Sequence, residues 1–184
     1  MSVAEAHARL TAPGERFEIE VLPIRGIPTR VWKNAPPTLR HVFQNGRIFP
    51  DREFLVYDDE RATYEAFARA TIVLARQLQA DGVKKGDRVA VIMRNLPEWP
   101  VAFFAGILAG AIVTPLNAWW TGAELEYGLA DSGTKVAIVD DERLSRIAPY
   151  LDTLDDLRRV YVSRLTEPWA HPKVARLEAV IGAV

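Results

Sequence analysis

The sequence predicts an α/β protein built on a doubly wound, mostly parallel sheet with flanking helices. Short β-branched runs recur along it, RVAVIM at 88–93, KVAIV at 135–139 and RVYV at 159–162, and such runs suit strands buried on both faces. Stretches of helical periodicity lie between them. The resulting order, βαβαβαβ, implies right-handed crossovers between parallel strands.

Each element follows from local chemistry. Residues 1–37 place Pro13, Pro23, Pro28, Pro36 and Pro37 between short apolar pieces, which favours extended segments and turns over helices. They read as an N-terminal arm, with 38–184 as the α/β part. TLRHVFQNG begins at Thr38 with a candidate N-cap and closes at Gly46, so it reads as a short helix. FLVYD at 54–58 reads as a strand that reverses tightly into ERAT. From Tyr64 to Ala80 the apolar residues recur at helical spacing, and Gly82 closes the run. A helix is expected from Pro97 to about Gly110, then a central strand, IVTPL, at 112–116. Thr121 and Glu124 form a capping box ahead of a helix that Gly133 ends. Asp140 or Asp141 caps the next helix, which carries Leu144, Ile147, Ala148 and Leu151.

Composition removes several classes of function. A net charge of −1 offers no basic face to nucleic acid. With no cysteine there is no disulfide framework, thiolate zinc site or Cys nucleophile. The first residues carry frequent charges in place of the apolar core of a secretory signal, so the cytoplasm is the expected compartment. From Trp99 to Ala123 there is no charged side chain, yet VAFFAGILAGAIV stops at Thr114 and Pro115, short of the about 20 apolar residues a membrane span needs. Gly106 and Gly110 are expected to let this helix sit close on the sheet.

Chemistry is sparse. There is no GxxxxGK[ST] and no GxGxxG, and GVKKGD at 82–87 joins a helix to a strand rather than opening a helix. His7, His41 and His171 share no ligand spacing and read as incidental. Asp140, Asp141 and Glu142 could hold Mg²⁺, or they cap the helix they precede, and their position favours capping. Topology supplies the candidate binding edge. In a doubly wound sheet ligands gather beyond the carboxyl ends of the strands, where Asn95 follows one strand and Asn117, Trp119 and Trp120 follow the next. Part of that aromatic surface is expected to be exposed or covered by another copy of the chain, which allows self-association.

These residues carry a resemblance. The TY-plus-acid helix start at Thr63, GVKKGDRVAV, the NLPEW loop at Asn95, AGAIVTPLN from Ala109 and ELEYGLADSGTKV occur in an order and spacing that resemble the N-terminal portion of the adenylate-forming, AMP-binding superfamily. The nearest subgroup is the bacterial fatty-acyl-CoA ligases, the long-chain-fatty-acid–CoA ligases. The resemblance covers about 38–163, and VWKNAPPTLR in the arm shares it. One departure is TYEAF, where Glu65 falls one place before the capping-box position, now Ala66.

The resemblance implies the N-terminal part of the acyl-CoA synthetase-like fold and a two-step reaction. ATP, with Mg²⁺, and a fatty or other carboxylic acid give an acyl-adenylate, and CoA then displaces AMP. The phosphate loop, the adenine- and Mg²⁺-holding segment, the ribose-binding Asp and the catalytic Lys of that family would follow Val184. No catalytic residue and no metal ligand is therefore placed on this sequence, the segment alone is expected to be inactive, and no cofactor is expected bound to it. The alternative is a stand-alone α/β module that binds a nucleotide or a partner.

Overall fold

In the computed structural model, which describes residues 1–182, successive residues of the buried strands enter opposite cores. Val89 and Val91 join one cluster, Ala90 and Ile92 the other, and all four are fully enclosed. This is why such strands read as continuous apolar runs.

The chain forms two compact units that divide between Val42 and Phe43. In the first, α1 (Val3–Leu10) precedes a hairpin of β1 (Ile19–Ile24) and β2 (Ile27–Trp32). Arg25 and Gly26 turn it with φ of 51° and 82°, the two positive values that a two-residue hairpin turn needs. Helix α1 is one helix in a stretch expected to favour extended segments and turns. Ser2 and Glu5 cap each other's backbone donors, and no proline occurs before Pro13 to oppose the helix.

Helix α2 (Leu39–Gly46) leads into the second unit, where Phe43 is buried. A hairpin of β3 (Glu53–Tyr57) and β4 (Glu60–Thr63) follows, so ERAT is a strand and not only the reversal expected of it. Thr63 caps α3 (Tyr64–Ala80) by accepting from the Ala66 N–H, without the reciprocal carboxylate that Ala66 cannot supply. Leu74 and Leu78 on α3 are fully enclosed, each contributing about 2 kcal/mol by area burial.

The main sheet contains β5 (Arg88–Ile92), β6 (Ile112–Pro115), β7 (Thr134–Asp140), β8 (Arg159–Ser163) and β9 (Val174–Arg176). Its order is β6-β5-β7-β8-β9, with every neighbouring pair parallel. Helix α3 and the crossover helix α4 (Glu98–Ala109) share the core of one face. Helices α5 (Gly122–Ser132) and α6 (Asp141–Ile147) share that of the other, which makes the sheet doubly wound. The helix α7 (Glu178–Ile181) follows β9, and neither element has a counterpart in the sequence reading.

The β6 strand corrects the expectation of a central strand. Among the described residues it pairs with β5 alone, and Ile112 is 57% exposed. Pro115, which has no N–H to give a second neighbour, suits an edge. Helix α4 nevertheless lies close on the sheet as expected. A Cβ on Gly106 would stand 2.6 Å from Val113 Cγ2, and Gly110 ends the helix at φ 87°, a conformation that favours glycine. No helix of the described residues is long and apolar enough to cross a membrane.

Candidate functional site at the carboxyl ends of the strands

Strand β5 is followed in sequence by its neighbour on one side, β6, and then by its neighbour on the other, β7. The chain therefore changes direction across the sheet between β5 and β7, and the crevice beyond their carboxyl ends is where open α/β sheets place ligands. Asp140, the last residue of β7, fills the base of that crevice. Its carboxylate accepts from the backbone N–H groups of Arg94 and Arg143, both at 3.0 Å, and from Arg143 Nη1 at 3.1 Å. One side chain thereby caps α6 and ties the β5–α4 loop to it.

Two arginines on α6 hold the neighbouring loop. Arg143 Nε donates to the Ala118 carbonyl at 2.7 Å, and Arg146 Nη1 donates to the Trp120 carbonyl at 2.7 Å. Arg143 is 1% exposed, so its charge is offset by buried Asp140 and, toward the surface, by exposed Glu142, 2.9 Å from Nη1. Asp141 accepts from the Thr166 hydroxyl at 2.6 Å. The three acids are thus engaged by caps and pairs, and among the described residues no three His, Asp or Glu side chains converge as metal ligands would.

The sequence-derived candidates meet on this edge. Parallel pairing of β5 with β6 puts the loops bearing Asn95 and Asn117 at the same end. Asn95 lines two cavities. One, of about 190 Å³, is walled by Leu55, Tyr57 and Trp99, and the other, of about 470 Å³, by Tyr57, Arg94, Asp140 and Arg164. Asn117 folds back so that its Oδ1 accepts from the Trp119 N–H at 2.9 Å, fixing the turn. Trp119 is 66% exposed and carries the Arg94 guanidinium 3.9 Å from its ring centroid, a cation–π contact that bridges the two loops. Trp120 turns away and packs on the core that α5 and α6 share.

Arg94, Arg143, Arg146, Arg164 and Tyr57 were not legible as site residues, because each gains its role from residues distant in sequence. Only Asp140 gave a signal, through its place ahead of a helix. His171 Nε2 is 3.3 Å from Asp152, His41 Nδ1 is 2.8 Å from the Thr38 hydroxyl, and His7 lines a groove of the first unit.

An open parallel sheet with a crevice at its switch point defines a class of ligand-binding α/β proteins. Residues 42–179 match the family described as AMP-binding enzyme, and the chain belongs to that family. It is 30% identical to 4-hydroxybutyrate--CoA ligase 2 of Metallosphaera sedula over 71% of this chain and 23% of that protein. It is also 30% identical to a long-chain-fatty-acid--CoA ligase of Bacillus subtilis over 68% of this chain and 22% of that one. Coronafacic acid ligase from Pectobacterium brasiliense shares the fold, with a TM-score of 0.72 and 18% identity, over 78% of this chain and 29% of that one. The chain thus spans less than a quarter of the length of the two curated relatives.

Proposed function

We propose that this chain is the N-terminal segment of an ATP-dependent, AMP-forming acyl-CoA ligase. The parent enzyme activates a fatty or related carboxylic acid as its acyl-adenylate and transfers the acyl group to CoA. One observation carries the reading: a family match over 42–179 whose relatives, named as CoA ligases, are about four times the chain's matched length. A carboxylate is a poor electrophile, and adenylation gives it a stabilised leaving group before the thiol attacks.

In this reading residues 1–37 form an arm, and 38–184 are the α/β subdomain of the ligase's N-terminal domain. Asn95, Asn117, Trp119 and Trp120 mark a substrate-facing edge, of which Asn95 and Trp119 are the members open to a ligand. ATP, Mg²⁺ and CoA serve the parent enzyme in the cytoplasm. The acids at the strand ends are committed to Arg94, Arg143, Arg146 and Thr166, so the donor set here does not fit Mg²⁺–ATP. No chemical step is assigned to these side chains, and the segment alone serves as scaffold. Self-association through exposed apolar surface is part of the same proposal.

The experiment is an assay of AMP release by the longer polypeptide that carries this segment, with ATP, Mg²⁺, CoA and a panel of carboxylic acids. AMP release and thioester formation that depend on the acid are expected. Their absence with every acid offered would sink the ligase reading.

A further inference from the structure

Three carboxylates and a ring, all distant in sequence, meet at Arg164. Its Nη1 and Nη2 donate to the two carboxylate oxygens of Glu60, each at 2.8 Å. Nε donates to Glu98 at 3.1 Å, and the backbone N–H donates to Glu178 at 2.6 Å. The guanidinium also lies 5.2 Å from the ring centroid of Tyr57. Arg164 holds φ at 57°, a left-handed conformation that a non-glycine residue keeps only where its surroundings impose it.

The segment that Arg164 grips is set apart from the rest of its unit. The β3–β4 hairpin is a two-stranded sheet of its own, outside the five-stranded one, and a lone ribbon of two strands is marginal in water. Its base is anchored by packing. Phe54 stacks on Tyr64 at 4.5 Å and lies 4.7 Å from Phe67, and Ala62 is buried. Its tip, residues 57–60, is exposed apart from half-buried Tyr57. Among the described residues the tip's ion pair is the bidentate one with Arg164, the strongest geometry available to an arginine and a carboxylate. Tyr57, on this tip, lines both strand-end cavities, as do Asn95 and Leu96 opposite.

We propose that Arg164 is a latch that holds the β3–β4 tip as a movable wall between the two strand-end cavities. With the fork to Glu60 released, the hairpin turns on its aromatic base, Tyr57 leaves the partition, and the two spaces join into one cleft beside Asn95. Glu98 keeps its partner throughout, because Nε serves it separately from the fork. The inference concerns the cleft wall and stands independently of the ligase reading.

Backbone amide exchange of chain 1–184 tests it with two variants. Glu60→Gln keeps the side-chain shape and removes the charge. Arg164→Lys keeps a cation beside Glu98 but cannot fork to Glu60. In both, the amides of Tyr57 and Glu60, the pair that flanks the turn and bonds across it, are expected to exchange about 3- to 10-fold faster, the size of a partly exposed ion pair, while those of β5, β7 and β8 keep their wild-type rates. The proposal is overturned if the tip amides are already unprotected in the wild type, if they exchange at wild-type rates in either variant, or if tip and sheet accelerate by a common factor.

Discussion

Replacing Gly106 with alanine should cost stability in the native background and add it once Val113 is trimmed. A Cβ on Gly106 stands 2.6 Å from Val113 Cγ2 and 3.8 Å from Val89 Cβ. Carbon atoms in contact prefer about 3.5–4.0 Å, so roughly 1 Å must be found between α4 and β6. The branched Val113 side chain is stiff at χ1 and cannot simply swing aside. Overpacking of this kind costs about 1–3 kcal/mol, while alanine in place of glycine within a helix returns about 1 kcal/mol. The expected net loss is therefore about 0–2 kcal/mol. In a Val113→Ala background Cγ2 is gone, the 3.8 Å neighbour is an ordinary contact, and the same change should stabilise by about 1 kcal/mol. Urea unfolding of the four proteins measures the coupling, expected at about 1–3 kcal/mol. Equal shifts in both backgrounds would refute the close seating of α4 on the sheet edge.

Arg164→Ala should destabilise by about 3 kcal/mol, because Glu98, 5% exposed, loses its counter-charge; a midpoint within 0.5 kcal/mol of wild type, by the approximate noise of surface changes, would show that Glu98 finds another partner. Acid should weaken the fold in part through Glu124 and Glu60. The Thr121 backbone N–H, then its hydroxyl, hold the Glu124 carboxylate below its ordinary 4.5, and the Arg164 fork does the same for Glu60. A depressed folded value means this stability is fully present above 4.5 and is lost as pH falls through the lower folded value. Glu124→Gln should therefore flatten the dependence of stability on pH below that point, and a slope as steep as wild type would exclude the capping box as a contributor.

How legible each element was depended on whether its determinants are local. Thr121 with Glu124 and Asp140 ahead of α6 announced their caps, because a cap is written within four residues. The strands RVAVIM, KVAIV and RVYV were readable because burial on both faces leaves continuous apolar runs. IVTPL misled for the same reason: an apolar run is compatible with an edge as well as a centre, and only Pro115 argued for the edge. Helix α1 was obscured by reading the prolines of residues 13–37 back onto a stretch that has none. Strand β4, with its polar ERAT, and three-residue β9 give too little pattern to be read.

The candidate edge was legible through topology, which places Asn95 and Asn117 together without any knowledge of side-chain contacts. The arginines that organise it were not. Arg143 reaches Ala118, Arg146 reaches Trp120, and Arg164 reaches Glu98 and Glu60 only after the sheet has assembled. Asn117 and Trp120 show the converse: a residue placed on the strand-end edge by sequence can turn its side chain to a turn or a core.

The central claim is that this chain supplies scaffold to an acyl-CoA ligase while the atoms that handle phosphate lie elsewhere in the parent enzyme. ATP–pyrophosphate exchange by purified chain 1–184, with saturating Mg²⁺–ATP and a panel of fatty acids, tests it most directly. The account predicts exchange indistinguishable from a protein-free control with every acid. Exchange above that control, dependent on added acid and on the chain, would contradict it.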